Sequence, residues 1–276
     1  MTNGHVLAHV LDDGAGPPIA WDRLGSGPPL VLGHGTPFSS AIWAPIARVL
    51  ARRHTVYLWD MPGYGQSITE QADSVDLDAQ ARALLRLVAH WGIAAPDVVA
   101  HDIGGAVALR ATVLHGLRPR SLFLADAVSV GGWGTALFRL LGSNEDVFAA
   151  LPANFHRAIV HEYIASASAS GLRPATAERL AQPWLTELGL RAFYRQMAQV
   201  GPRHTEDMEY RYGEIDCPVT VCWGEEDTWL PLDHGRELVT RIPGAELVLL
   251  PGAGHLVQED DPAGLLGAIT AHLDAR

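Results

Sequence analysis

Three side chains in this chain of 276 residues have the types and placement for joint nucleophilic and acid–base chemistry: Asp102, Asp227 and His255. Asp102 stands in the run Val98-Val99-Ala100-His101-Asp102-Ile103-Gly104-Gly105, where an apolar stretch gives way to a small-residue helix. Small residues two positions either side of a polar one mark a tight strand-to-helix turn, which lifts one side chain above a sheet and leaves no room for larger neighbours. A carboxylate raised in this way suits displacement at a saturated carbon and gives an alkyl ester, whereas a serine alkoxide suits an acyl carbon. Water must then cleave the ester, and a histidine must deprotonate the water. His255 is one of 13 histidines, set apart by its loop Gly252-Ala253-Gly254-His255 between an apolar strand and the last helix. A second carboxylate has to fix the imidazole tautomer and stabilise its cation. Asp227, after the strand Val219–Trp223, is the first choice, and Asp126, after Ser121–Ala125, is the alternative. Asp102 could serve simply as a helix N-cap, but a cap does not require small residues on both sides.

The elements that must hold these groups are legible as short apolar runs alternating with amphipathic stretches. Leu30–Leu32, Thr55–Trp59, Asp97–His101, Ser121–Ala125, Val219–Trp223 and Glu246–Leu250 read as parallel strands covered on both faces. Leu77, Ala81, Leu84, Leu85, Val88 and Trp91 repeat at helical spacing. Ile103 to Leu114 and Pro262 to Leu273 read as further helices, the second with Pro in its first turn. His5–Leu11 and Ile19–Leu24 form an expected antiparallel hairpin around the turn residues 12–18. This alternation predicts an α/β fold whose site lies at the carboxyl ends of the strands. Residues 129–213 show helical spacing only, with Val147, Leu151, Phe155, Ile159 and Tyr163 as the expected apolar stripe and Ala165–Gly171 as a break. The expected division is a core of residues 1–128 and 214–276 with a helical cap, 129–213, inserted between two strands.

Composition removes several classes of function. The chain has 20 basic residues, all arginine, against 31 acidic ones, a formal net charge of −11. Without lysine there is no Schiff-base, pyridoxal-phosphate or P-loop chemistry. The acidic balance argues against a nucleic-acid partner. Cys217 and Cys222 lack the spacing of a zinc or redox site. Gly63-Tyr64-Gly65 lacks the further glycine and the distant acid of a dinucleotide loop. No metal or organic cofactor is expected. Met1–His5 has no signal-peptide character and no stretch has the length of a membrane span. The expectation is a cytoplasmic monomer or homodimer acting on a small molecule.

Taken in order, His34-Gly35-Thr36-Pro37, Asp60–Ser67, His101–Gly105, Trp223–Asp227 and Gly252–His255 resemble the motifs of the α/β-hydrolase superfamily. Within it, Asp102 at the serine position resembles the aspartate-nucleophile branch, which holds epoxide hydrolases and haloalkane dehalogenases. The resemblance covers nearly the whole chain. It implies the α/β-hydrolase fold, a mostly parallel doubly wound sheet with an inserted cap. It implies the order nucleophile, acid, histidine for Asp102, Asp227 and His255. It also implies an anion-stabilising pair of backbone N–H groups, from Thr36 and Ile103, with His34 and Thr36 near substrate.

The leaving group separates the branch members. Dehalogenases of this kind place tryptophan after the nucleophile and often asparagine after His-Gly; this chain has Ile103 and Thr36. Haloacid enzymes place arginine beside the nucleophile, where this chain has Ile103 and Ala106. Epoxide hydrolases protonate the developing alkoxide from cap tyrosines, whose phenols stay protonated at neutral pH. Phe193–Met197 resembles the segment that carries one of them, which makes Tyr194 the first candidate; Tyr163, Tyr210 and Tyr212 are candidates for a second. Trp43, Trp133, Trp184 and Trp229 fall near strand ends or in the cap, with Trp43 and Trp184 expected among the pocket residues. Epoxide hydrolysis is therefore the first expectation, dehalogenation the second. A noncatalytic ligand-binding relative is the third; such a binder has no need of Asp102, Asp227 and His255 together.

Overall fold

A computed structural model describes residues 6–72 and 74–275. The strands are β1 (His9–Leu11), β2 (Ile19–Leu24), β3 (Pro29–Gly33), β4 (Thr55–Trp59), β5 (Asp97–His101), β6 (Ser121–Ala125), β7 (Val219–Gly224) and β8 (Glu246–Leu250). They form one eight-stranded sheet in the order β1-β2-β4-β3-β5-β6-β7-β8. β1 and β2 pair antiparallel at one edge, and β2 meets β4 antiparallel. Every other pairing is parallel. The fold is that of an α/β hydrolase, as expected.

The central strands are apolar along their whole length because helices cover both faces. β5 and β6 are buried at every position. The core helices are α1 (Ala44–Leu50), α2 (Leu77–His90), α3 (Ile103–Val113), α10 (Leu232–Arg241), α11 (Val257–Asp260) and α12 (Pro262–Asp274). Asp76 caps α2 by accepting from the Ala79 N–H, and Asp261 caps α12 by accepting from that of Gly264. In α3 nearly every side chain is buried, and its small residues let it pass close to the sheet. Expected and observed strands agree to within a residue or two except at the amino-terminal hairpin. There β1 begins at His9, not His5. His5 and the Met1–His5 segment lie outside the described residues.

Between β6 and β7 the described residues form helices and irregular structure, with no strand. The helices are α4 (Ala136–Gly142), α5 (Glu145–Ala149), α6 (Ala153–Ala165), α7 (Pro174–Ala181), α8 (Glu187–Gln199) and α9 (Arg203–Glu206). The expected break at residues 165–171 separates α6 from α7. The expected apolar stripe is corrected. Pro152 divides it between α5 and α6, and Val147 and Phe155 lie 67% and 58% exposed. Tyr163 of that stripe does face inward from α6, together with His156, Val160 and Ile164. Among the described residues, no helix is long and apolar enough to cross a membrane.

Candidate active site

Asp102 is the residue where β5 turns into α3. Its backbone has φ 52° and ψ −126°, a conformation a non-glycine residue holds only when its surroundings impose it. They do so here through backbone hydrogen bonds. The Asp102 N–H donates to Ala125 (3.1 Å), and the Asp102 carbonyl accepts from Gly105 (2.9 Å) and Val128 (3.1 Å). The need for small neighbours is steric. A Cβ on Gly104 would lie 2.4 Å from the His34 carbonyl oxygen, and one on Gly35 would lie 2.5 Å from the Asp102 Cβ. The carboxylate does not cap α3. It turns instead toward the β3 loop, where Oδ2 accepts from the Thr36 N–H at 2.6 Å. The Ile103 N–H also favours its charged form. These are the two N–H groups expected to stabilise developing negative charge.

His255 is carried on the loop after β8 and is fully buried. Its Nδ1–H donates to Asp227 Oδ2 at 2.9 Å, and Nε2 lies 3.6 Å from Asp102 Oδ1. That Nε2 has no hydrogen-bond partner among the described residues, which leaves its lone pair facing the Asp102 carboxylate. Asp227 is held through Oδ1 by the N–H groups of Trp229 (2.7 Å) and Leu230 (3.0 Å). Two further contacts fix the imidazole. Trp229 stacks on its face at 4.9 Å between centroids, and His101 Nε2 donates to the His255 carbonyl at 2.8 Å.

The charges of these groups are set by their closed surroundings. Burial raises Asp102 to about 6, although His255 and the N–H groups of Thr36 and Ile103 pull the other way. Burial also opposes a charge on His255. The charge and hydrogen bond of Asp227, then the charge of Asp102, outweigh it, so the imidazole titrates above its ordinary value. His101 is pushed well down by burial, then by the nearby His255.

The cavity over Asp102 is lined by Thr36, Ile103, Val128, Trp133, Gly134, Thr135, Phe138, Tyr163, Trp229 and Leu230. It measures about 20 Å³, room for about one water. Of the expected binding residues, Thr36, Ile103 and Tyr163 line this space. Tyr163 stacks on Trp229 at 4.4 Å, its hydroxyl stands beside Thr135, and burial followed by the charge of Asp102 keeps its phenol protonated far above neutrality.

The other expected residues are placed elsewhere. Tyr194, the expected proton donor, lies off the cavity lining. Its hydroxyl donates to His156 Nδ1 at 2.9 Å, and His156 Nε2 donates to the Trp184 carbonyl at 2.9 Å. His34 is buried at the loop junction, where Nε2 accepts from the Met61 N–H at 2.9 Å. Trp43 donates to the Gly33 carbonyl from the core, at 3.0 Å. Trp184 donates to the Pro37 carbonyl at 2.6 Å and ties the helical segment to the β3 loop. Tyr212 donates to Ser129, and Tyr210 is 77% exposed. Asp126 is the neighbour of the Asp–His pair and not a partner of the ring: its Oδ1 accepts from the Gly224 N–H at 2.8 Å.

One residue at the site had no signal in the sequence. Gln196 of α8 is buried and accepts from the Thr36 hydroxyl (2.7 Å) and the Tyr64 hydroxyl (2.9 Å). A single amide in a polar helix carries no mark of such a role. Its position two residues after Tyr194, on the same helix, is the closest the sequence comes.

The alpha/beta hydrolase family model matches residues 30–268. An alpha/beta hydrolase fold protein from Burkholderia ambifaria has a solved structure that is 43% identical, with a TM-score of 0.92 covering 97% of this chain and 99% of that one. The solved structure of the epoxide hydrolase CorEH shares the fold, with a TM-score of 0.82 at 21% identity over 97% of this chain and 98% of that one. A relative in Pseudomonas putida, the dihydrolipoyllysine-residue acetyltransferase component of its acetoin cleaving system, is 28% identical over 87% of this chain. The chain spans 62% of the length of that relative. With a family model covering most of its length, this chain belongs to the alpha/beta hydrolase family.

Proposed function

We propose that this hydrolase works through a covalent alkyl ester on Asp102 and that its substrate is a small epoxide, opened to a diol. The observation that carries the reading is the placement of one carboxylate, raised on the β5–α3 turn, between the Thr36 N–H and the free Nε2 of His255. In this reading the segment 129–213 is the cap, and the reaction takes place beneath it.

Asp102 attacks an epoxide carbon, the C–O bond breaks, and the oxygen takes the Tyr163 proton. The alkyl ester forms with its carbonyl oxygen facing the N–H groups of Thr36 and Ile103. His255 then removes a proton from water, and the hydroxide adds to the ester carbonyl. The tetrahedral oxyanion draws on the same two N–H groups. Its collapse releases the diol, the imidazolium proton returns to the tyrosinate, and Asp102 is regenerated. Tyr163 replaces Tyr194 as donor in this scheme because it lines the cavity and Tyr194 does not.

A halide leaving group fits less well. Trp133 and Trp229 line the cavity, but their indole N–H groups donate to Thr205 and Ser166. The experiment is to offer epoxides and haloalkanes to the protein and to Tyr163→Phe. Diol formation is expected, falling about 10²–10⁴-fold in the variant as for loss of a general acid. Halide release that is indifferent to Tyr163 would overturn the epoxide reading in favour of dehalogenation.

A further inference from the structure

Asp126 is a second buried carboxyl at the ends of the parallel strands, and the scheme above does not use it. It ends β6 in a strained conformation, with φ 41°. Its N–H donates to the Cys222 carbonyl at 2.9 Å. The Gly224 N–H donates to its Oδ1 at 2.8 Å. The Gly224 carbonyl in turn accepts from the Asp227 N–H at 3.2 Å, so Asp126 underlies the turn that presents Asp227. It is fully buried, and its Oδ2 has no donor among the described residues.

We propose that Asp126 carries a proton on Oδ2 and donates it in a hydrogen bond to the Asp227 carboxylate, acting as the positioning residue for the acid of the triad. This inference rests on the reading in which Asp227 orients His255. Asp227 already accepts from Trp229 and Leu230 through Oδ1 and from His255 through Oδ2. Two carboxyl oxygens offer about four acceptor sites, and the Asp126 O–H takes the remaining one. An ionised Asp126 would instead leave a bare oxygen in a closed interior, facing like charge. The charged groups acting on it are carboxylates, Asp227 first and then Asp102. Burial, then Asp227, raises its pKa well above the ordinary carboxylate range. The Cys222 thiol, which also feels Asp126, is itself held protonated by burial. His255 faces Asp227 from the far side.

The arrangement divides the labour of two acids. Asp227 carries the charge that stabilises the imidazolium. Asp126 draws off part of that charge and prevents the carboxylate from rotating. It is neutral, so it adds no net charge beside His255.

Asp126→Asn is the discriminating variant, because an amide can still accept from Gly224 and donate to Asp227. Two readouts on the folded protein need no substrate and so stand apart from the epoxide reading. Infrared difference spectra of wild type against Asp126→Asn are expected to show the carbonyl stretch of a protonated carboxyl, lost in the variant. Ring resonances of His255 are expected to titrate with an unchanged midpoint in Asp126→Asn. They should shift upward by about one unit in Asp126→Leu, where Asp227 loses a donor. A missing protonated-carboxyl band, or a midpoint lowered in Asp126→Asn by loss of a negative charge, would overturn the proposal. The Asn arm and the spectrum keep the test decisive if Asp126→Leu does not fold.

Discussion

At the scale of single residues, the site places charge where burial opposes it. Asp102 is fully enclosed and is raised to about 6 from 3.8. The folded state therefore holds this proton more tightly than the unfolded chain. Stability falls as pH rises through the window from 3.8 to about 6 and stays lower at neutral pH. Asp102→Asn removes that cost, so denaturant unfolding at neutral pH is expected to show a more stable variant, by up to about 3 kcal/mol, with the advantage gone near pH 4. The same variant is expected to form no diol. The shifts also fix the acid limb of activity. Attack needs ionised Asp102, and ester hydrolysis needs neutral His255, whose pKa is raised by Asp227 and Asp102 against the effect of burial. The alkylation rate should thus fall as pH drops through about 6. In the ester Asp102 carries no charge and Asp227 alone raises His255 against burial, so the hydrolysis rate should fall as the imidazole protonates, at a lower pH than its midpoint in the free enzyme. Pre-steady-state rates across pH separate the two limbs; a hydrolytic step that speeds up in acid would contradict His255 as the base.

At the scale of elements, the strands delivered the site and the helical segment shaped it. The turn at Asp102 was readable because Ala100 and Gly104 are small for a steric reason, the approach of the β3 loop to α3 within van der Waals limits. Asp227 was preferred over Asp126 for the histidine, and the structure places Nδ1 of His255 against Asp227. Which tyrosine faces the cavity was not readable in the same way. Tyr163 and Tyr194 are both buried on helices between β6 and β7, and the rotation of α6 against α8 decides which side chain lines the cavity and which is taken by His156. Tryptophans share this ambiguity, since burial makes Trp43 and Trp184 look like pocket residues when they serve as anchors. Trp184 fastens the helical segment to the Pro37 carbonyl and packs edge-on against Tyr64 and Phe193. Trp184→Ala is expected to cost about 3–5 kcal/mol in chemical denaturation. Amide exchange should quicken first in α7 and α8. Full retention of stability would show that the anchor carries no load.

For the whole molecule, an eight-stranded sheet gathers distant parts of the chain at one edge. Residues 36, 102, 126, 227 and 255 arrive from the ends of β3, β5, β6, β7 and β8. This much was legible because parallel strands announce themselves by apolar runs, and the loops that follow their carboxyl ends carry the chemistry. The space above them was not legible. It depends on how short helices tilt against one another, as the misplaced stripe through Val147 and Phe155 illustrates. The narrow cavity that results makes substrate size a property of the helical segment, and the bond-breaking chemistry a property of the sheet. The claim on which both rest is the ester at Asp102. It is tested most directly by a single turnover in water enriched in heavy oxygen, with excess protein over an epoxide, followed by mass analysis of product and of the peptide containing Asp102. The label is expected in the Asp102 carboxyl, with the diol unlabelled. Label entering the diol in that first turnover, with none in Asp102, would contradict it.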